Sequence, residues 1–308
     1  MFLYSNKMDE RSKSDYTNYY ENIEPIGTGG FGYVYKVKEK GTENSYRAAK
    51  VINLDHLREN IMMERGEVNL EENLNTILED YIKEFEIMKI CSNNNDYSVK
   101  CYEYFQSEES FAIIMELCDK SLMQILAAER FKNKSDGLSV EKIYEIMKQL
   151  NNAFKVMEEN KIIHRDLKLE NILVKYNDEE HSNFTIKLSD YGCSRRLDSL
   201  SINKCVTNVG TPIYTAPEIL MGKEYNYKVD LWSIGIILYM LKFGKSPFSG
   251  EINLSLFNNI NNFKKNSLKS TGNKELDNLI QNLIEKDPDK RLSWDEYLEH
   301  PFFKDNKK

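Results

Sequence analysis

The chain has 308 residues, of which 41% are hydrophobic and 30% are charged, enough for one large domain or two smaller ones sharing a cleft. Its net charge of −7 argues against the basic face that nucleic-acid binding needs, so we expect no nucleic-acid partner. Its 5 cysteines include no CxxC pair, which argues against a disulfide framework or a zinc site and favours reduced thiols in the cytoplasm or nucleus. The longest apolar stretch, residues 231–241, is too short to span a membrane and predicts a helix buried in a protein core.

The first hundred residues predict a sheet interrupted by one helix. Strand-like length and β-prone composition mark residues 33–38, 46–52 and 110–117. Between the last two, residues 77–90 carry an apolar stripe at spacings of four and three, which predicts a helix; the stripe consists of Ile77, Tyr81, Phe85 and Met88.

Beyond about residue 120 the pattern becomes helical. Apolar faces over residues 143–157 and 276–284 predict two helices, the first with Ser139 as its N-cap. Residues 171–176 and 184–190 predict two strands joined by a polar hairpin loop. A β-rich N-terminal lobe and a helical C-terminal lobe would therefore meet near residue 117, and a cleft between lobes is a favoured ligand site.

The stretch GTGGFG at residues 27–32 fits G-x-G-x-x-G through Gly27, Gly29 and Gly32. Glycines also serve ordinary turns, so the motif alone is weak. A dinucleotide-binding fold would need a helix to follow, whereas a β-pattern follows here. The loop therefore predicts a hairpin tip whose backbone N–H groups approach phosphate oxygens closely.

Lys50 ends the segment RAAK (residues 47–50), which lies in the strand-like run 46–52. A cation on a sheet below a glycine loop can neutralise phosphate oxygens, but it needs an anion to orient it. Glu84, on the predicted helix, is our candidate for that anion, and Glu79 and Glu86 are the alternatives.

Residues 162–173 read IIHRDLKLENIL, a polar segment between two apolar pairs. Asp166 can aim an incoming hydroxyl and accept its proton, and Lys168 can stabilise charge on a transferred phosphoryl group. Asn171 can present an amide oxygen to Mg²⁺, and Asp190 of SDYG supplies a second, charged ligand. Each residue alone could be a cap or a solvated polar group, but their combination favours phosphoryl transfer assisted by Mg²⁺.

The ordered motifs resemble those of the eukaryotic protein kinase family from about residue 19 to residue 303. They are GTGGFGYV, AAK, HRDLKLEN, DYG, TPIYTAPE, DLWSIG and KDPDKRLSWDEYLEHPFF. The resemblance implies an α+β, two-lobed fold: a small β-rich N-lobe with one main helix (about 19–117) and a larger, mainly helical C-lobe (about 121–303). Residues 1–18 and 304–308 would be tails.

The resemblance also implies roles for residues around the nucleotide and the catalytic loop. Met115 would be the gatekeeper, and Glu116 and Cys118 would offer hinge backbone groups to adenine. The adenine ring would lie between Val34, Ala48 and Leu173. Met88, His164 and Tyr191 would form an apolar spine. Glu218 and Arg291 would brace the substrate platform, and Asp230 would anchor the catalytic loop.

Lys168, two residues past the proposed base, together with Thr211, is the arrangement of kinases that modify serine and threonine in protein substrates. Glu170 resembles the acid with which some members favour arginine upstream of the target, although it could equally be a solvated surface residue.

Regulation is suggested by Arg165, a cation that needs an anion, with Arg195 and Arg196 just beyond DYG. Phosphorylated Thr207 would supply that anion through charge-assisted hydrogen bonds. Ser199 and Ser201 are alternative phosphorylation sites.

The chain departs from the family in four places, one of which is a lengthened loop before DYG. Tyr191 replaces phenylalanine, and its hydroxyl needs a partner if it is buried. The run between Lys50 and Glu84 is unusually long, which predicts an inserted loop or an extended helix, with a regulatory partner at residues 53–80. DKSL at residues 119–122 replaces a glycine-rich tether, so Asp119 or Ser121 could contact the ribose.

The leading hypothesis is an active protein Ser/Thr kinase that depends on ATP and Mg²⁺, and its main rival is a pseudokinase-like scaffold or allosteric binding module. The presence of Lys50, Asp166, Asn171 and Asp190 favours the active enzyme. A small-molecule kinase is disfavoured by the complete TPIYTAPE segment. Within the family, the pattern resembles the calcium/calmodulin-dependent and the autophagy-initiating kinases.

Overall fold

The structure is a computed structural model that describes residues 10–29, 32–65, 69–133, 136–196, 212–248 and 254–304. The chain divides into two compact units, Met1–Asn94 with Val99–Cys118, and Asn95–Ser98 with Asp119–Lys308. None of the helices in these described ranges combines the length and apolar character needed to cross a bilayer.

The first unit is built on an antiparallel five-stranded sheet with the strand order β1-β2-β3-β5-β4. Three of its strands confirm predicted segments, and β1 and β4 are additional. The sequence hid β1 because Pro25 and several glycines interrupt its β-pattern; a strand with such residues is tolerated at a sheet edge, where β1 lies. The bounds are β1 Tyr20–Gly29, β2 Gly32–Glu39, β3 Tyr46–Asn53, β4 Cys101–Gln106 and β5 Ser110–Met115.

The described residues of the first unit form two α-helices, α1 (Leu54–Arg65) and α2 (Leu70–Ser92). The predicted helix at residues 77–90 is confirmed as part of α2. Helix α2 is the predicted main helix and begins at Leu70, before the predicted start, as the extended-helix alternative expected. Helix α1 is an additional, separate element in the run between Lys50 and Glu84. Leu54, Leu57 and Ile61 bury one face of α1, and its first amide donates to Glu109 O at 2.8 Å.

Residues 10–18, which the sequence placed in a tail, form two short 3-10 helices, Glu10–Lys13 and Tyr16–Asn18. Tyr16 belongs to the buried core of the first unit. Arg11 lies 4.3 Å above the ring of Tyr19, and Arg11 Nη2 is 3.2 Å from Glu103 Oε1. Packing against strand β4 therefore makes this segment part of the unit.

The second unit contains a three-stranded sheet, β6-β8-β9, and a two-stranded pair, β10-β7. Strands β8 and β9 form the predicted hairpin, with Ile172 opposite Leu188. This register places Asn171 and Asp190 just beyond the same end of the hairpin. The bounds are β6 Lys120–Ser121, β7 Ile162–Ile163, β8 Ile172–Tyr176, β9 Phe184–Leu188 and β10 Arg195–Arg196.

Helices supply most of the core of the second unit, and the three predicted here are confirmed as α4, α6 and α8. Ser139 caps α4 by accepting from the Lys142 amide at 3.2 Å. A Cβ on Gly235 of α6 would lie 2.8 Å from Leu283 Cβ, so only glycine allows α6 and α8 to pack this closely. The bounds are α3 Leu122–Asn133, α4 Val140–Glu159, α5 Pro217–Leu220, α6 Lys228–Phe243, α7 Leu254–Asn262, α8 Lys274–Leu283 and α9 Trp294–Leu298.

Candidate active site

Lys50 and Glu84 form an ion pair in the first unit, with Nζ 2.7 Å from Oε1. The pairing predicted with Glu84 is thus confirmed over the two alternatives. Glu84 is buried on the sheet-facing side of α2, whereas Glu79 and Glu86 are exposed to solvent. The buried carboxylate of Glu84 holds the ammonium group of Lys50, whose side chain is 22% exposed, in one position next to strand β3.

The glycine-rich hairpin joins β1 to β2, as its β-pattern predicted; Gly30 and Phe31 lie outside the described residues. Gly27 stands opposite Val34 in the register, and Val34 stands opposite Lys50 on β3. A Cβ at Gly32 would lie only 2.0 Å from Val51 O. Glycine at position 32 is therefore required by the approach of β3 as well as suited to a phosphate contact.

Of the residues proposed for adenine binding in the first unit, Val34 lies on β2. The others lie at the β3–β5 pair and in the chain segment after it. Ala48 stands opposite Met115. The Glu116 amide donates to Lys100 O at 2.8 Å, so a ligand would have to use the carbonyl of Glu116. Cys118 is half-buried at the end of this unit.

The catalytic loop of the second unit brings Asp166, Lys168 and Asn171 together. Lys168 Nζ lies 2.7 Å from Asp166 Oδ2, and Asn171 Nδ2 donates to Asp166 Oδ2 at 3.0 Å and to Asp166 O at 2.9 Å. Burial alone would lower the pKa of Lys168, but Asp166, Asp190 and Glu170 raise it above its ordinary value. Lys168 is therefore a charged group over the physiological pH range.

Asp230, near the start of α6, anchors this loop as predicted. Its two carboxylate oxygens accept from the amides of His164, at 2.7 Å, and Arg165, at 2.8 Å. Arg165 has a positive φ of 66°, a conformation that costs a non-glycine residue energy and needs such support. Complete burial raises the pKa of Asp230, and the bonds from the two amides oppose that shift.

Asp190 is placed near Asn171 by the hairpin of β8 and β9. Ser189 donates to Asn171 O through both its amide and its hydroxyl, each at 2.9 Å. Asp190 follows with a φ of 60°, and its charge acts on Lys168. The three oxygen-bearing groups predicted to converge, those of Asp166, Asn171 and Asp190, thus belong to one region of the second unit.

Among the described residues, no group of three or more His, Cys, Asp and Glu side chains is arranged to hold a metal ion. The expected magnesium ligands are instead one amide and one carboxylate. Mg²⁺ is usually held by one or two carboxylates and keeps several water and phosphate ligands, so this donor set fits it.

Tyr191 is buried, and its hydroxyl has the partner that burial demands: Tyr191 Oη lies 3.0 Å from Ser98 Oγ. The rings of Tyr191 and His164 are 5.0 Å apart, as the predicted spine requires of these two residues. Ser98 was missed by sequence reasoning, because it lies 93 positions away in a segment without a motif.

Glu218 and Arg291 form the predicted ion pair, with two bonds of 2.7 and 3.0 Å.

The two residues proposed to contact the ribose make contacts within the second unit. Asp119 accepts from the Tyr176 amide at 2.8 Å, and Ser121 Oγ accepts from the Gln124 amide at 3.2 Å. Leu173 lies half-buried on β8.

The Arg165 side chain has partners of its own. Its Nε donates to Cys193 O at 2.6 Å, and Nη1 donates to the Tyr225 hydroxyl at 2.8 Å. Arg195 pairs with Ile163 through β10 and β7. Four residues singled out for the activation segment lie outside the described residues: Ser199, Ser201, Thr207 and Thr211.

A family model described as the protein kinase domain matches residues 20–303, so the chain belongs to the protein kinase family. The predicted α+β fold, with a β-rich N-lobe and a mainly helical C-lobe, is thereby confirmed. The family uses ATP to phosphorylate proteins.

The chain is similar to serine/threonine-protein kinase atg1 of Dictyostelium discoideum, with 34% identity over 89% of this chain and 38% of that protein. It is also similar to serine/threonine-protein kinase TIO of Arabidopsis thaliana, with 30% identity over 93% of this chain and 19% of that protein. Its identity to calcium-dependent protein kinase 3 of Plasmodium berghei is 31% over 92% of this chain and 46% of that protein. The chain therefore carries a serine/threonine-type protein kinase domain, consistent with both suggested subgroups. It spans less than half the length of each of these relatives.

Proposed function

We propose that the protein transfers the γ-phosphoryl group of ATP to serine and threonine hydroxyls of protein substrates. The observation that carries the proposal is the constellation around Asp166, whose carboxylate is held 2.7 Å from Lys168 Nζ and 3.0 Å from Asn171 Nδ2. A carboxylate fixed by two donors can aim a substrate hydroxyl and accept its proton.

Two lysines supply positive charge for the transfer. Lys168, whose pKa is raised by the carboxylates of Asp166, Asp190 and Glu170 against the effect of burial, would stabilise charge on the transferred group. Lys50, oriented by Glu84 at 2.7 Å, would hold the phosphates of ATP that are not transferred. Preorganised charges of this kind stabilise a transition state more than they stabilise the substrate.

Asn171 and Asp190 would hold Mg²⁺. The Asn171 amide nitrogen is directed at Asp166, which turns the amide oxygen away from Asp166 and makes it the atom to face a cation. Bound Mg²⁺ would neutralise charge on the phosphate oxygens. The chain's own contribution is to fix these two oxygen ligands through the β8–β9 hairpin.

The nucleotide would bind through backbone groups and apolar side chains. Gly27, Gly29 and Gly32 would let the hairpin backbone approach the phosphates, and Asp119 or Ser121 would meet the ribose. Adenine would contact the hinge backbone at Glu116 and Cys118. It would also contact a set of apolar side chains, those of Val34, Ala48, Met115 and Leu173.

The test is phosphoryl transfer from labelled ATP, with Mg²⁺, to a generic Ser/Thr protein substrate. We expect transfer by the native protein, loss of transfer in Asp190→Asn, and native activity in Asp289→Asn, where an exposed aspartate undergoes the same change. If an activated preparation transfers no more phosphate than Asp190→Asn, the protein is a pseudokinase-like scaffold or binding module instead.

Regulation is proposed to act through Arg165, with phosphorylated Thr207 as an anionic partner and Arg195 as a second cation. Support comes from the position of Arg165, whose backbone is tied to Asp230 and whose guanidinium reaches Tyr225 and Cys193. Phosphosite mapping of active protein should find Thr207. Its absence from the map, with full activity in Thr207→Ala, would point to Ser199 or Ser201 or to another form of control.

A regulatory partner is proposed at residues 53–80, where α1 exposes Met63 (84% exposed) and Met62. Replacing both methionines by glutamate should weaken that partner's binding while leaving peptide phosphorylation unchanged.

We also propose that Glu170 favours arginine upstream of the target hydroxyl. Glu170 meets the Tyr214 hydroxyl at 3.5 Å as well. The cytoplasmic or nuclear location stays a prediction.

A further inference from the structure

A buried polar network joins the short segment 95–98 to the residue that follows Asp190. Tyr191 Oη lies 3.0 Å from Ser98 Oγ, and Asn95 Nδ2 donates to the same Ser98 oxygen at 3.4 Å. Asn95, Ser98 and Tyr191 are each less than a tenth exposed, and Ser98 is completely buried. No water can therefore easily replace a missing partner in this network.

The segment is also tied to strand β9, so Ser98 has a defined position relative to Asp190. Ser98 forms a parallel bridge with Leu188, and the Leu188 amide donates to Tyr97 O at 2.8 Å. Asn95 Oδ1 in turn accepts from the Tyr97 amide at 3.0 Å. Leu188 is the last residue of β9, two positions before Asp190.

Asp190 itself needs support from its neighbours. Its φ of 60° is a left-handed conformation that a non-glycine residue keeps only when the surrounding structure holds it. The residue after it, Tyr191, is held on its ring by His164, at a centroid distance of 5.0 Å, and at its tip by Ser98.

We propose that Ser98 is a positioning residue for Asp190, acting through the Tyr191 hydroxyl. This inference rests on the proposed kinase function and adds a residue to it. Without the Ser98 hydroxyl, the Tyr191 hydroxyl loses a partner in a buried site, which favours conformations in which Tyr191 turns towards water and carries Asp190 with it. With phenylalanine at position 191, the ring has no hydroxyl for Ser98 to meet, and Ser98 keeps Asn95 as a partner. Ser98 then loses its role in positioning Asp190.

The test is a double-mutant cycle of Ser98→Ala and Tyr191→Phe in the full chain. In the native Tyr191 background, Ser98→Ala should lower kcat roughly tenfold and raise the Mg²⁺ concentration for half-maximal activity several-fold, the scale expected for the loss of one buried hydrogen bond. In the Tyr191→Phe background, the same change should alter both quantities less than about twofold. The phenylalanine change thus suppresses the defect.

A second readout does not depend on turnover: the rise in the thermal unfolding midpoint produced by Mg²⁺ with a non-hydrolysable ATP analogue. Ser98→Ala should shift this Mg²⁺ dependence to higher concentration in the native Tyr191 background only. Ser110→Ala is the matched control, because Ser110 is also buried and its hydroxyl meets Asp15 at 2.8 Å. It should lower the unfolding midpoint without moving the Mg²⁺ dependence.

Equal effects of Ser98→Ala in both backgrounds, or an unchanged Mg²⁺ dependence, would overturn the inference. If Ser98→Ala does not fold, Ser98→Cys, of similar size and with a weak donor, takes its place in the same cycle. A native protein without transfer activity would refute the proposed function, whereas the unfolding measurements would still decide on Ser98.

Discussion

Glu218 and Arg291 form a buried ion pair, and replacing Glu218 by glutamine should measurably lower the free energy of unfolding. The Arg291 side chain is 0% exposed and that of Glu218 is 6% exposed. Arg291 also donates to Lys228 O at 2.7 Å and to Glu285 O at 2.9 Å. In Glu218→Gln the guanidinium would stay buried with these carbonyl partners but without a countercharge.

The expected loss in free energy of unfolding depends on the hydrogen bond that glutamine can still make at position 218. Removing one partner of a buried pair costs about 3–5 kcal/mol. The glutamine oxygen can still accept one of the two bonds that Glu218 makes, at 2.7 and 3.0 Å, and a retained bond is worth about 1 kcal/mol. We therefore expect a loss of about 3 kcal/mol, or a fall in Tm of roughly 6–12 °C for a unit of this size.

The assay is denaturant and thermal unfolding of the native protein and the variant. The matched control is Glu145→Gln, because Glu145 pairs with Lys142 at 3.0 Å on the surface, where the two side chains are 51% and 41% exposed. Surface pairs of this type contribute about 0.3–0.5 kcal/mol. A loss below about 1 kcal/mol in Glu218→Gln, or a loss equal to that of the control, would refute the reasoning.

Two further substitutions test the site, and a labelling experiment tests the burial of Cys101. Glu84→Gln removes the carboxylate that pairs with Lys50 at 2.7 Å and should reduce kcat/KM for ATP roughly tenfold to a hundredfold, the range for a bond between charged groups. An unchanged value would show that the pair does not orient Lys50. Tyr225→Phe removes one bond to Arg165 and should lower kcat by about two- to tenfold, whereas a more active variant would mean that Tyr225 restrains the enzyme. Burial raises the pKa of Cys101 to about 12, so its thiolate fraction at pH 8 is about 10⁻⁴; iodoacetamide followed by mass spectrometry should find it unmodified in folded protein and modified after denaturation, and rapid labelling of folded protein would contradict its burial.

Some features could be predicted because they depend on residues close together in the sequence. The polar segment around Asp166 and the glycine hairpin carry their chemistry in short motifs. The cap at Ser139 and the buried helix α6 follow from local pattern, since helical periodicity and capping act over a few residues.

Other features depended on packing. Three glutamates of one helical stretch were candidates for Lys50, and only the rotation of α2 against its sheet selects Glu84. Helix α1 could not be told from a loop, because only three apolar residues, Leu54, Leu57 and Ile61, mark its inner face, and the structure shows them buried. Strand β1 is held by hydrogen bonds to β2 despite Pro25.

The sequence by itself determined the family of this protein and the chemical type of each catalytic group, because both are written in ordered local motifs. Only the tertiary structure decided which partners hold those groups. Ser98 meets Tyr191, and Tyr225 meets Arg165, because distant segments pack together, and a buried polar atom accepts whichever partner that packing brings within hydrogen-bond distance.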